Sequence, residues 1–159
     1  MELAEFGSFH SIIRSLGPLG AGEVGSVCRE ALQGLHYLHR LHVLHRDIKA
    51  GNVLLTSAGK VKLADFGVSA TTEGTSAQQH TVIGTPHWMA PEVIAGGGYD
   101  WHADIWSLDI TALELIEGAP PHLVKHYAVS KPSVPGRNMW AHAACLAAHS
   151  HTRDSHHSI

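Results

Sequence analysis

The sequence predicts an α+β fold, mostly α, and three observations carry that prediction. Val24, Val27, Cys28, Ala31, Leu32, Leu35 and Leu38 recur at the spacing of one helix face, so an amphipathic helix is expected from about Glu23 to His39. Val53-Leu54-Leu55 is a short apolar run and Lys60-Val61-Lys62-Leu63-Ala64 alternates polar with apolar, as short, half-buried strands do. Ile105, Leu108, Ala112, Leu115 and Ile116 then give a wide apolar stripe to a helix running to about Glu117.

Composition narrows the class. A chain of 159 residues is one domain at most and can bury a sizeable core. Eleven Lys+Arg against fourteen Asp+Glu leave a net charge of −3, which supplies no nucleic-acid footprint. Cys28 and Cys145 stand far apart without a C-x-x-C, so neither a disulfide framework nor a zinc cluster is indicated. Met1-Glu2-Leu3-Ala4-Glu5 lacks the basic and apolar regions of a signal peptide, and no apolar run approaches the roughly 18 residues of a membrane span. A soluble, cytoplasmic chain is expected, with neither nucleic acid nor membrane as partner.

Taken in order, Met1 to Phe9 reads either as the end of a strand or as a frayed terminus, and both stay open. Ser8 to Ser15 reads as a short helix broken by Gly17-Pro18. Gly20-Ala21-Gly22-Glu23-Val24-Gly25-Ser26-Val27 fits G-x-G-x-x-G-x-V, a nucleotide-loop pattern. Such a loop joins two strands and is followed by a strand carrying a lysine. No such strand follows here, and the helical spacing claims the same residues, so the helix is the reading kept. Leu35-His36, Leu38-His39, Leu41-His42 and Leu44-His45 repeat with period three and invite a metal reading. A helix turns every 3.6 residues, which puts His36 and His39 on one face with His42 near the helix end. No carboxylate or cysteine completes a site, so these histidines are expected to be solvated or at the core edge.

Between Val43-Leu44 and Val53-Leu54-Leu55 lies His45-Arg46-Asp47-Ile48-Lys49-Ala50-Gly51-Asn52. Asp47 can accept a proton from a hydroxyl. Lys49 can hold a phosphate oxygen as a point charge. Asn52 can offer an amide oxygen to a hard cation such as Mg²⁺. Asp65-Phe66-Gly67 follows the second strand, and Ala90-Pro91-Glu92 comes later. The ordered set H-R-D-x-K-x-x-N, D-F-G and A-P-E resembles the protein kinase family, and Lys49 is the serine/threonine-kinase choice at its position. The string from Thr81 through Gly84-Thr85-Pro86-His87-Trp88-Met89 to Glu92 is similar to the sterile-20-like group, which usually has an aromatic residue where His87 stands.

The resemblance runs from Met1 to about His122. It implies a partial kinase domain over 1–122, hinge through a buried helix: the C-terminal lobe without the N-terminal lobe. It further implies ATP and Mg²⁺ as cofactors and a protein bearing Ser or Thr as substrate. Asp47 would take the substrate proton and Lys49 would steady the transferring phosphate. Asn52 and Asp65 would hold Mg²⁺, with Leu54 beneath the adenine ring and the backbone of Glu2 and Ala4 at its edge. Thr81, as the target of an upstream kinase, would carry a phosphate paired with Arg46. Thr85 would bond Asp47 and Lys49. His45, Phe66 and Glu92 would be structural, and Asp104, favoured by its position near a helix start, would tie the catalytic loop to that helix.

Departures qualify this. Asp109 stands where the family has glycine, and a carboxylate buried there without a partner would cost several kcal/mol. A glycine-rich loop, the strand lysine, its helix glutamate and the arginine partner of Glu92 are not found. Residues 123–159 are histidine-rich and, apart from Ala141 to Ala148, without periodicity; they are unassigned and expected to be disordered. The expected function is a serine/threonine protein kinase, inactive as this isolated stretch. The alternative is a non-catalytic, pseudokinase-like interaction module.

Overall fold

The computed structural model describes residues 4–67, 69–71 and 83–121. The first helix, α1 (Phe9–Leu16), starts at Ser8, whose hydroxyl accepts the Ser11 N–H at 3.3 Å. Ahead of it, residues 4–8 turn and run beside the strand that follows the His45–Asn52 loop. Phe6 N–H donates to Leu55 O at 3.2 Å, Leu55 N–H donates to Gly7 O at 2.9 Å, and Ser8 bridges Leu54. Phe9, the last residue of the expected strand end, is already helical and buried, because its ring packs into the core.

Helix α2 (Ala21–Arg40) takes in the whole glycine pattern. Gly20 precedes its first turn and donates its N–H to Glu23 Oε2 at 2.7 Å, while Gly22 and Gly25 lie inside the helix. The apolar face wins because Val24, Val27, Cys28, Ala31 and Leu35 are all buried, which stabilises the helix more than the two glycines weaken it. Arg40 ends it, and His42 follows in the left-handed region with φ 57°.

Two small antiparallel ladders come next. Strand β1 (Val43–Leu44) pairs with β4 (Ala70–Thr71), and β2 (Val53–Leu55) pairs with β3 (Val61–Leu63) with Val53 opposite Leu63. The half-buried side of β3 lies on α2, where Leu63 approaches so closely that a Cβ on Gly34 would meet its Cδ1 at 3.2 Å. Glu30 fixes the edge of β3 by accepting the Val61 N–H at 2.8 Å. A 3-10 turn (Pro86–Trp88) and α3 (Pro91–Ile94) lead to α4 (His102–Glu117), which ends at Gly118 in the left-handed region.

Helix α4 is buried on most of its circumference, and with α2 it encloses the main core around Leu35, Ile48, Val53, Leu108 and Leu115. A second cluster of Leu44, Ala90, Val93, Tyr99 and Ala103 seats α3 against its start. Leu19 N–H donates to Leu115 O at 2.8 Å, tying the segment after α1 to α4. Asp109 is half-buried and has an interaction partner, so the cost of burying that carboxylate alone does not arise. No helix among the described residues is long and apolar enough to cross a membrane.

Candidate active site

The loop from His45 to Asn52 has no regular structure of its own, and its backbone groups find partners on side chains of α4. Asp104, 1% exposed, accepts the His45 N–H at 3.0 Å through Oδ2 and the Arg46 N–H at 2.8 Å through Oδ1. Those two bonds bridge a tight bend in which Arg46 adopts φ 68°. Asp104 does not cap its own helix: its carboxylate faces the loop, and Trp101 at the helix start makes no side-chain cap bond. At the far end of the loop Glu114, 2% exposed, accepts the Ala50 N–H at 3.0 Å. One helix therefore grips both ends of the loop, and Ile48, fully buried, plugs its middle into the core.

Held this way, the polar side chains converge. Lys49 Nζ donates to Asp47 Oδ2 at 2.7 Å and to Thr85 Oγ at 2.8 Å, and the Thr85 hydroxyl donates to Asp47 Oδ1 at 2.6 Å. The Asn52 amide donates to Asp47 O and to Asp47 Oδ2, both at 2.8 Å. Gly84 allows Thr85 in so close: it has φ 131°, and a Cβ there would meet Arg46 O at 2.6 Å. Burial alone would raise the Asp47 pKa, but the hydrogen bonds from Lys49 and Thr85, the Lys49 charge and the Asn52 amide outweigh it and hold the carboxyl below its ordinary value. Asp47 is therefore a carboxylate at neutral pH, oriented by three donors.

The β2–β3 ladder sets Asp65 near Asn52, since Ala64 N–H donates to Asn52 O at 2.9 Å and Asp65 is next in the chain. Asp65 is exposed, has φ 63°, and accepts the Gly67 N–H at 3.3 Å through Oδ1. The Asn52 amide nitrogen is spent on Asp47, which leaves its amide oxygen outside that contact. One carboxylate and one carboxamide oxygen fit Mg²⁺, a hard cation that completes its shell with waters and phosphate oxygens. No group of three or more His, Cys, Asp or Glu suited to a metal exists among the described residues.

His45 is fully buried, its Nε2 sits 3.1 Å from Ala64 O, and its ring lies 5.0 Å from that of Phe66. Desolvation lowers its pKa against the opposing pull of Asp104, Ala64 O, Asp47 and Asp65, which favours the neutral imidazole. Phe66 is 48% exposed. Leu54 and Ala4 are half-buried, and Glu92 is exposed with no cation paired to it among the described residues. Glu2 and Thr81 lie outside the described residues, as does all of 123–159. The structure thus brings together Asp47, Lys49, Asn52 and Thr85, with Arg46 and Asp104 beneath them.

Sequence reasoning missed three residues. His39, placed with the solvated or core-edge histidines, puts Nε2 2.7 Å from Asp104 Oδ2. Glu114 and Trp88 meet at 2.9 Å, indole N–H to Oε2. The one available signal was Glu114 itself, a carboxylate among Ile110, Thr111 and Leu115 on a helix whose neighbouring positions are core.

Comparison with known proteins identifies the family of the chain. A family model described as protein kinase domain matches residues 1–142. The chain is 55% identical over 123 residues to the serine/threonine-protein kinase cst-1 of Caenorhabditis elegans, an overlap of 77% of this chain and 25% of that protein. It is 50% identical over 126 residues to the serine/threonine-protein kinase dst1 of Dictyostelium discoideum, covering 79% of this chain and 17% of the relative. With serine/threonine-protein kinase 1 of Arabidopsis thaliana it shares 53% identity over 104 residues, 65% of this chain and 12% of the other. The chain spans a quarter or less of the length of these relatives. With a protein kinase model matched over most of its length, the chain belongs to the protein kinase family, in the sterile-20-like serine/threonine group.

Proposed function

We propose that the chain works as the large-lobe part of a serine/threonine protein kinase, over residues 1–122, transferring a phosphoryl group from ATP to a protein hydroxyl. The observation that carries this reading is the Asp47–Lys49–Thr85 triangle, with Asn52 as a fourth member. Asp47 is kept ionised and aimed, so it can orient a substrate Ser or Thr hydroxyl and accept its proton. Lys49, already paired to Asp47, supplies positive charge where a transferring phosphate would develop negative charge. Asn52 and Asp65 are the proposed Mg²⁺ holders; bound there, the ion would neutralise phosphate charge.

Leu54 and the backbone of Ala4 and Glu2 are proposed for the adenine, and His45 with Phe66 as a packing pair under the site. Arg46 is proposed to pair with a phosphate on Thr81 placed by an upstream kinase, which would order the loop beside Thr85. Glu92 and Asp104 are proposed as structural supports. The proposed partners are a Ser/Thr-bearing protein substrate and that upstream kinase.

A second reading, a non-catalytic interaction module, is favoured by the exposed Phe66 ring at 48% and Phe6 at 58%, apolar surface that a partner protein would cover. One experiment separates the two. The full chain is melted with and without Mg·ATP and assayed for phosphate transfer to a generic Ser/Thr protein, with Asp47→Asn as control. Mg·ATP stabilisation of the parent chain, with any transfer lost in Asp47→Asn, supports the kinase reading. Absence of that stabilisation in the parent chain supports the interaction module.

A further inference from the structure

One face of α4 is left open by the elements that bury the rest of it. Placed around the helix at 3.6 residues per turn, His102, Ile105, Trp106, Asp109, Leu113, Ile116 and Glu117 form a single contiguous face. These seven are the half-buried or exposed residues of α4, and the other nine are buried. The open face of a surface helix is ordinarily polar. Here it carries four large apolar side chains, Ile116 being 40% exposed, with the Asp109 carboxylate in their midst. Ile105 and Trp106 touch the two core clusters only from the edge. Asp109 is also the residue that stands where the kinase family has glycine, so this face is particular to the chain.

The chain runs on from the end of that face. Gly118 closes α4 in the left-handed region, the described residues stop at Pro121, and 38 residues follow. Among them Met139-Trp140-Ala141-His142-Ala143-Ala144-Cys145-Leu146-Ala147-Ala148-His149 is rich in alanine, the strongest helix former. At helical spacing Met139, Ala143 and Leu146 share one side, with His142 and His149 along its edge and Cys145 turned away from it. As a helix the segment would be about 16 Å long, against about 24 Å for α4. The 17 residues between Pro121 and Met139 can span at most about 60 Å, so the segment can reach any part of α4. Charge favours the meeting. Lys125, Lys131, Arg137 and Arg153 against Asp154 give residues 122–159 a net charge of +3, while residues 1–121 carry −6. Asp109 and Glu117 place two of those negative charges on the open face. From Ala143 onward the segment lies past the last residue matched by the kinase model, so the family does not say where it goes.

We propose that residues 139–149 dock on the open face of α4, setting Met139, Ala143 and Leu146 against Trp106, Leu113 and Ile116 with the histidine edge toward Asp109 and Glu117. The small Ala143 side chain lets the two backbones approach over the bulky Trp106. The contact is intramolecular, and the tether raises the local concentration of the segment to the order of millimolar, enough to hold a contact too weak for a free peptide. It does not depend on phosphoryl transfer.

The test uses the full chain carrying a nitroxide on Cys145. Cys28 is buried, so reagent added to the folded chain is expected to modify Cys145 alone, which mass spectrometry checks. Paramagnetic broadening is expected at the Trp106 indole and the Leu113 and Ile116 methyls, and not at Val61 and Leu63, whose strand lies against α2. Leu146→Glu in the segment and Ile116→Glu on the face are each expected to abolish this selective broadening.

Broadening that is absent, that reaches β3 equally, or that persists in both glutamate variants overturns the proposal. A Cys145 that resists the reagent in the folded chain overturns it too, because the docked segment turns that residue outward. Labelled chain mixed with unlabelled, isotope-enriched chain reads contact between copies. Broadening as strong in that mixture assigns the face to a second copy and overturns the intramolecular contact. If Ile116→Glu does not fold, Leu146→Glu decides it alone.

Discussion

Thr85 donates its hydroxyl to Asp47 Oδ1 at 2.6 Å, across 38 residues of sequence. That one bond joins the His45–Asn52 loop to the segment ahead of α3, and Lys49 closes the triangle by donating to both. A hydrogen bond to a charged group contributes about 1.5–3 kcal/mol. Thr85→Val removes the hydroxyl with nearly the same shape, so it should raise the Asp47 titration point and slow phosphate transfer by roughly 10-fold to 100-fold. Thr85→Ser should retain most of both. NMR titration with parallel kinetics checks it, and equal behaviour of the valine and serine variants would remove Thr85 from the site.

Asp104 accepts the backbone N–H of His45 and of Arg46 and lies 2.7 Å from His39 Nε2. Asp104→Ala strips all of them from a buried position. The expected loss of stability is about 3–5 kcal/mol, the range for removing one partner of a buried charged network. Urea unfolding measures it; a loss under about 1 kcal/mol would mean that water replaces the carboxylate.

Gly84 is a backbone requirement. At φ 131° with Arg46 O 2.6 Å from the position of a Cβ, alanine forces either the Gly84 segment or the Arg46 bend to move. Gly84→Ala should cost about 1–3 kcal/mol and should also draw Thr85 away from Asp47. Thermal melting gives the first effect and the Asp47 titration gives the second.

Two groups make stability depend on acid in different windows. His45 has its pKa lowered from 6.5, chiefly by burial, so the unfolded chain binds more protons as pH falls below 6.5. Stability from this group is present above that value and is lost as pH falls toward the folded pKa. Asp47 has its pKa lowered from 3.8, so its contribution is present above 3.8 and is lost only as pH falls further, through the folded value. Unfolding free energies at pH 7, 6 and 5 should decline less in His45→Phe than in the parent. The same slope in both would show that the imidazole is not the group responding.

The proposed Mg²⁺ holders, Asn52 and Asp65, give a prediction of their own. Asp65→Asn keeps the size of an exposed side chain but removes the carboxylate. It should abolish the Mg²⁺-dependent part of ATP stabilisation while leaving the melting temperature of the unliganded chain within about 1–2 °C, as expected for an exposed position. A melting scan with ATP, with and without Mg²⁺, tests it.

What the sequence by itself determined is the set of locally encoded parts. The 3.6-residue period placed α2 within a few residues and rejected the glycine-loop reading of Gly20 to Val27, because the buried face of α2 outweighs two helical glycines. A short apolar run placed β2, the period of two placed β3, and the spacing inside His45–Asn52 named Asp47, Lys49 and Asn52 before any contact was known. Strand β4, two residues long in a stretch without periodicity, carried no such signal. Only the tertiary structure decided which buried carboxylate meets which donor: Asp104 with His39 at 65 residues' separation and Glu114 with Ala50 at 64. The physical reason is that periodicity reports which face of an element is dry. A buried N–H must still find an acceptor, and which one it finds depends on how helix α4 lies against a loop far from it in the chain.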